Sequence, residues 1–158
     1  MKYFEELEVG ASQVLGHHTF TEAEIIAFAR LYDPQPFHVD PEAARRSPFG
    51  ALVASGWHTA SMWMHFLVAF NKREAEAQMA KTGTTVRIGP SPGFSNLRWL
   101  KPVYAGDTIT YATEVREKSA SKTKPQWGVV KGYASGTNQH GDPVIDFETV
   151  VLVGRKGA

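Results

Sequence analysis

Ser55-Gly56-Trp57-His58-Thr59-Ala60-Ser61-Met62-Trp63-Met64-His65-Phe66-Leu67-Val68-Ala69-Phe70 opens the longest helical segment of the chain, predicted over residues 56–80. Trp57, Ala60, Ser61, Met64, Leu67 and Val68 recur on one helical face, which reads as core; Asn71, Lys72, Glu74, Glu76 and Gln78 make the later turns polar. Upstream, Thr21-Glu22-Ala23-Glu24 has capping-box spacing, and Ile25, Phe28, Ala29 and Tyr32 follow at helical intervals, so a helix is expected over 22–31. Pro34 disfavours helical geometry at Asp33 and ends it, and Pro36 is expected to keep the next turn extended. Asp40 before Pro41 marks the cap of a short helix through Arg46. Downstream the period changes to two. Leu97 and Trp99, then Ile109, Tyr111, Thr113 and Val115, then Trp127, Val129 and Tyr133, and last Ile145, Phe147, Thr149, Val151 and Val153 read as strands, with residues 138–142 as a hairpin loop. Residues 12–19 add a candidate early strand. One long helix against a mostly antiparallel sheet is an α+β arrangement.

The chain has 158 residues, expected to form a single domain over 1–158. It contains no Cys, which removes thiol nucleophiles, zinc–thiolate sites and iron–sulfur clusters. A formal net charge of +1 offers no broad field to recruit nucleic acid or a membrane surface. The first ten residues, MKYFEELEVG, lack a signal-peptide pattern, and no apolar run is long enough to span a bilayer. A cytoplasmic protein is expected.

The residues with the clearest chemical potential lie in Tyr32-Asp33-Pro34-Gln35-Pro36-Phe37-His38-Val39-Asp40. A carboxylate and an imidazole stand five positions apart in a connection stiffened by two prolines, and stiffness is what proton-transfer groups need for placement. Asp33 at a helix C-terminus feels the negative end of the dipole, which raises its pKa, while a protonated His nearby lowers it. Spacing alone leaves a purely structural turn open. Gly56 precedes the long helix, where a free N–H can stabilise a developing oxyanion, and simple turn geometry is the alternative reason for a glycine there.

Phe28-Ala29-Arg30-Leu31-Tyr32-Asp33-Pro34-Gln35-Pro36-Phe37-His38-Val39-Asp40 resembles the hydratase signature of the MaoC-like dehydratases, the R-specific enoyl-CoA hydratase family. Ser47-Pro48-Phe49-Gly50 and Ala54-Ser55-Gly56 are similar to its next block, residues 97–108 to a later strand and turn, and Asn138-Gln139-His140-Gly141 to its last hairpin. The resemblance implies a hot-dog fold, a long central helix wrapped by a curved antiparallel sheet, assembled as a homodimer or dimer-based oligomer. It implies a lyase acting on an acyl-CoA or acyl-carrier-protein thioester, hydrating a 2-enoyl group or dehydrating a 3-hydroxyacyl group. Asp33 and His38 match the catalytic pair and Gly56 the oxyanion donor. Gln35, Phe37, Ser55 and Trp57 are the expected substrate contacts. No metal and no separate cofactor are expected, coenzyme A being part of the substrate.

Three positions depart from the family pattern. Gln35 stands where Asn is usual, Phe37 where an aliphatic residue is usual, and Met64 where well-studied hydratases carry a Ser eight residues beyond the glycine; Ser61 or another group would then supply that hydrogen bond. His17-His18 and the His58/His65 pair suggest metal ligation but lack a matching carboxylate, so satisfied or solvent-facing histidines are expected. Lys118, Lys122 and Lys124 read as a solvated hairpin. The alternatives are a hot-dog thioesterase, disfavoured because the long helix carries no carboxylate in its first four turns, and a non-catalytic acyl-CoA-binding subunit.

Overall fold

In a computed structural model, which describes residues 2–157, a short 3-10 turn at Phe4–Glu6 leads into strand β1 (Ser12–Thr19) and helix α1 (Glu22–Tyr32). Two short helices, α2 (Pro36–Val39) and α3 (Pro41–Arg45), precede the long helix α4 (Gly56–Thr82). Four strands follow: β2 (Gly93–Trp99), β3 (Thr108–Ala120), β4 (Trp127–Thr137) and β5 (Pro143–Gly154). All pairings are antiparallel, in the order β1-β3-β4-β5-β2, so β1 and β2 are the edges. This is the hot-dog arrangement: a curved sheet around a long helix.

Local signals explain the elements. Thr21 caps α1, accepting from the Glu24 N–H at 3.3 Å while Glu24 reaches back to the Thr21 N–H at 3.1 Å. Asp40 Oδ1 accepts from the N–H groups of Glu42 and Ala43 at the start of α3. Gly83 adopts φ 69° and closes α4 with its N–H on the Met79 carbonyl. Pro36 differs from expectation. It occupies the first position of a helical turn instead of extending the chain, because its fixed φ suits that position and its missing N–H is not needed there.

α4 buries His58, Thr59 and Trp63, with Met62, Phe66, Leu67 and Phe70 partly buried beside them. Trp63 Nε1 donates to the Ala112 carbonyl at 3.0 Å, and the Tyr111 hydroxyl donates to the Thr59 carbonyl at 3.0 Å, pinning the helix to β3. Gly16 lets it come close, since a Cβ there would lie 2.5 Å from the Phe66 ring. The core gathers Phe20, Ile25, Trp63, Ile109, Tyr111 and Ile145.

The helical stripe read as core is mostly outside. Trp57, Met64 and Val68 are 49%, 50% and 57% exposed, while Ala60 and Leu67 sit at the edge of the buried face. The first turns of α4 are apolar nearly all round, so periodicity offers two faces and the sheet takes only one.

Two turns fix where α4 begins. The Ala54 N–H donates to the Val103 carbonyl at 2.8 Å, and Val53 bridges Tyr104, so residues 52–55 are held against the segment before β3. Gln139 then bonds the Asp107 carboxylate and the Thr108 N–H, tying the last hairpin to the same corner.

Candidate active site

α1 ends where Pro34 forces Asp33 out of helical geometry, at φ −156° and ψ 67°. The turn of α2 then carries the chain back, and His38 Nε2 lies 3.4 Å from Asp33 Oδ2. The two candidate residues therefore meet.

Their surroundings set their protonation. His38 is 6% exposed, and its Nδ1 lies 2.7 Å from the Val53 carbonyl. A carbonyl only accepts, so Nδ1 carries a proton and Nε2 is the nitrogen turned toward Asp33. Gln35 Nε2 donates to Asp33 Oδ1 at 2.9 Å, and the Ser55 hydroxyl donates to Oδ2 at 2.7 Å. Burial by itself raises the Asp33 carboxyl, but the bonds from Gln35 and Ser55 and the neighbouring His38 ring outweigh it and hold the group below its ordinary value. With a single proton on the ring, Nε2 is an acceptor like Oδ2 and the two face each other. One proton between them, or the two hydrogens of one water, satisfies both.

Gly56 is the first residue of α4, where an N–H has no partner within the helix. A Cβ on Gly56 would lie 2.3 Å from the Trp99 indole, and Trp99 meets Trp57 edge-on at 5.3 Å between centroids. The close approach of Trp99, rather than turn geometry, is what favours glycine here.

The expected substrate contacts divide. Gln35 is exposed beside the pair, and Trp57 is exposed with its ring against Trp99. Phe37 instead packs its ring against His38 and Phe49, at 4.6 and 5.1 Å, and so braces the imidazole. Ser55 is 1% exposed and spends its hydroxyl inside the protein, on Asp33 and on the Trp57 N–H. Ser61 is not the extra donor, since its hydroxyl turns back to the Trp57 carbonyl at 2.7 Å; Met64 is half exposed.

Three features had weaker signals. The Val53 carbonyl that sets the His38 tautomer is backbone and leaves no trace in residue type. His18 and His58, which the sequence places in two separate pairs, come together around Phe20 and beside Glu24. Lys118 is only partly exposed, and its ammonium donates to the carbonyls of Phe4, Glu5 and Leu7 rather than pointing freely into solvent.

The family model described as MaoC like domain matches residues 8–136. The Klebsiella aerogenes protein MaoC is 33% identical over 138 residues, which cover 80% of this chain and 36% of that protein, so the chain spans about a third of its length. The 3-hydroxybutyryl-CoA dehydratase of Methylorubrum extorquens is 28% identical over 160 residues, covering 98% of this chain and 85% of that one. A crystal structure of a MaoC-like dehydratase from Rhodospirillum rubrum superposes with a TM-score of 0.82 at 34% identity, covering 100% of both chains. With a match over most of its length and the fold in common, this chain belongs to the MaoC-like domain family.

Proposed function

We propose that this protein interconverts a 2-enoyl thioester and the corresponding 3-hydroxyacyl thioester. Family membership supports hydration or dehydration of enoyl-CoA-type thioesters in general, and the 3.4 Å approach of Asp33 Oδ2 to His38 Nε2 beside the start of α4 is the observation that carries the reading.

In the hydration direction one water lies between Asp33 and His38, a hydrogen toward each acceptor, its lone pair facing the β-carbon. The pair removes a proton as the oxygen attacks. The C2–C3 π electrons move toward the thioester carbonyl, and the Gly56 N–H at the positive end of α4 stabilises the enolate oxygen. The proton held by the pair is then delivered to the α-carbon. Hydroxyl is gained at C3, hydrogen at C2, and nothing is oxidised. The chemistry asks for no metal or redox group, because the thioester itself acidifies the α-carbon; the carrier is coenzyme A or an acyl carrier protein.

The reading includes a second copy of the chain. Trp57, Met64 and Val68 on the outer face of α4 and Phe94 and Trp99 on edge strand β2 are large exposed apolar side chains, with Trp57 and Trp99 in contact, and a homodimer would cover them. Among the described residues no helix is long and apolar enough to cross a membrane. Loss of enoyl-thioester absorbance across short, branched and long enoyl-CoA substrates tests the activity, and light scattering at micromolar concentration tests the dimer. Folded protein that binds these thioesters without changing any of them contradicts the hydratase reading and favours a binding subunit.

A further inference from the structure

Asp33 and the start of α4 come from separate segments, and one side chain joins them across 22 positions of sequence. The Ser55 hydroxyl donates to Asp33 Oδ2 at 2.7 Å and accepts the Trp57 N–H at 3.2 Å, while the Ser55 carbonyl accepts from the Thr59 N–H at 3.1 Å. An N-cap needs only an acceptor, and Asp serves that purpose as well as Ser. An Asp at position 55, however, would set a second negative charge against Asp33. A hydroxyl has one proton and two lone pairs, so it can cap the helix and donate to the carboxylate together. The bond is also the more buried of the two: Ser55 is 1% exposed, whereas Gln35, which holds the other oxygen, is exposed. Low local dielectric strengthens the Ser55 bond relative to the Gln35 bond.

We propose that Ser55 is a positioning residue that locks the Asp33 carboxylate to the first turn of α4, so that the water-holding carboxylate and the Gly56 N–H keep one fixed geometry. This rests on the hydratase reading for its consequence in catalysis, but the lock itself is measurable without turnover. Proton transfer and oxyanion stabilisation are needed in the same step, and a drift of either partner by a fraction of an ångström costs rate, not binding. Ser61, with its hydroxyl on the Trp57 carbonyl, does not substitute.

The test uses Ser55→Ala and Ser55→Gly. Both remove the hydroxyl, and glycine retains most of the capping preference, so an effect shared by the two belongs to the bond with Asp33. Carbon-13 NMR titration of the Asp33 carboxyl should move upward by about one pH unit in both variants, as expected for loss of a charge-assisted hydrogen bond. With enoyl-CoA, kcat should fall about tenfold while KM changes by less than about threefold, and the acid limb of the kcat profile should shift with the NMR titration. An Asp33 titration unchanged from wild type in the folded glycine variant overturns the proposal, even if thermal stability drops. Wild-type protein inactive on every enoyl thioester instead overturns the hydratase reading, and the carboxyl titration still decides the role of Ser55.

Discussion

His38 and His58 are each 6% exposed, and both lie at the corner where α1 meets α4, yet the fold treats them in opposite ways. His38 has a carbonyl on one nitrogen and faces a carboxylate with the other. His58 is stacked on Phe28 at 4.4 Å and meets Phe20 edge-on at 4.9 Å, and its Nδ1 is buried with no hydrogen-bond partner. Burial drives the His58 pKa down to about 4, with nearby His18 pushing the same way and Glu24 opposing. Burial to the same extent therefore leaves one imidazole within reach of a carboxylate and makes the other a neutral aromatic wedge. What faces the ring nitrogens makes the difference.

The contrast breaks most visibly in turnover. His38→Ala should lower kcat by a factor of ~10²–10⁴, the usual worth of a positioned acid–base group, with the circular dichroism spectrum retained. His58→Phe, which keeps an aromatic ring in the slot, should leave kcat within about threefold of wild type. A reversed order would mean that the wrong imidazole has been placed in the reaction.

The next effect is on stability against acid. The folded His58 pKa of about 4 lies below the ordinary 6.5, so the unfolded chain binds more protons between those values. Stability should be fully present above pH 6.5, fall as pH drops through this window, and level off near pH 4, a total of up to about 3 kcal/mol. Urea titrations of wild type and His58→Phe should diverge across that window and run parallel above it. Asp33, held below its ordinary value, adds its own loss at lower pH. Equal acid sensitivity in the two proteins would show that His58 is not the responsible group.

Gly56→Ala comes next. The new Cβ meets the Trp99 ring, which must shift, at a cost of about 1–3 kcal/mol in melting experiments. Trp99 fluorescence should change with it; an unchanged spectrum and melting temperature would remove the close-approach reason for glycine. The smallest effect belongs to Gln35→Leu. It removes an exposed donor to Asp33, so kcat should change only a few-fold and the Asp33 titration should rise by less than in the Ser55 variants.

The helices and strands were legible because their signals are local: the Thr21–Glu24 box, Asp40 before Pro41, and alternation from Ile145 to Val153. The pairing of Asp33 with His38 was legible through the resemblance of the segment to the hydratase signature; the prolines alone left a structural turn open, and Pro36 starts the helical turn it was expected to prevent. Which face of α4 is buried was not, since Trp57 and Met64 are as apolar as Trp63 and only the position of the sheet distinguishes them. The bond from Ser55 to Asp33 was hidden for a related reason. Serine before a helix is fully explained as a cap, and its second use appears only when α1 is folded against it. The pairing of His18 with His58 likewise depends on β1 lying beside α4.

The most direct test of the central claim follows the absorbance of a panel of enoyl-CoA thioesters with wild type and Asp33→Asn side by side. Rapid decay is expected with at least one acyl chain for the wild type, and decay slower by at least about two orders of magnitude for a variant that is equally folded and equally dimeric. Equal decay rates in the two proteins would contradict that claim.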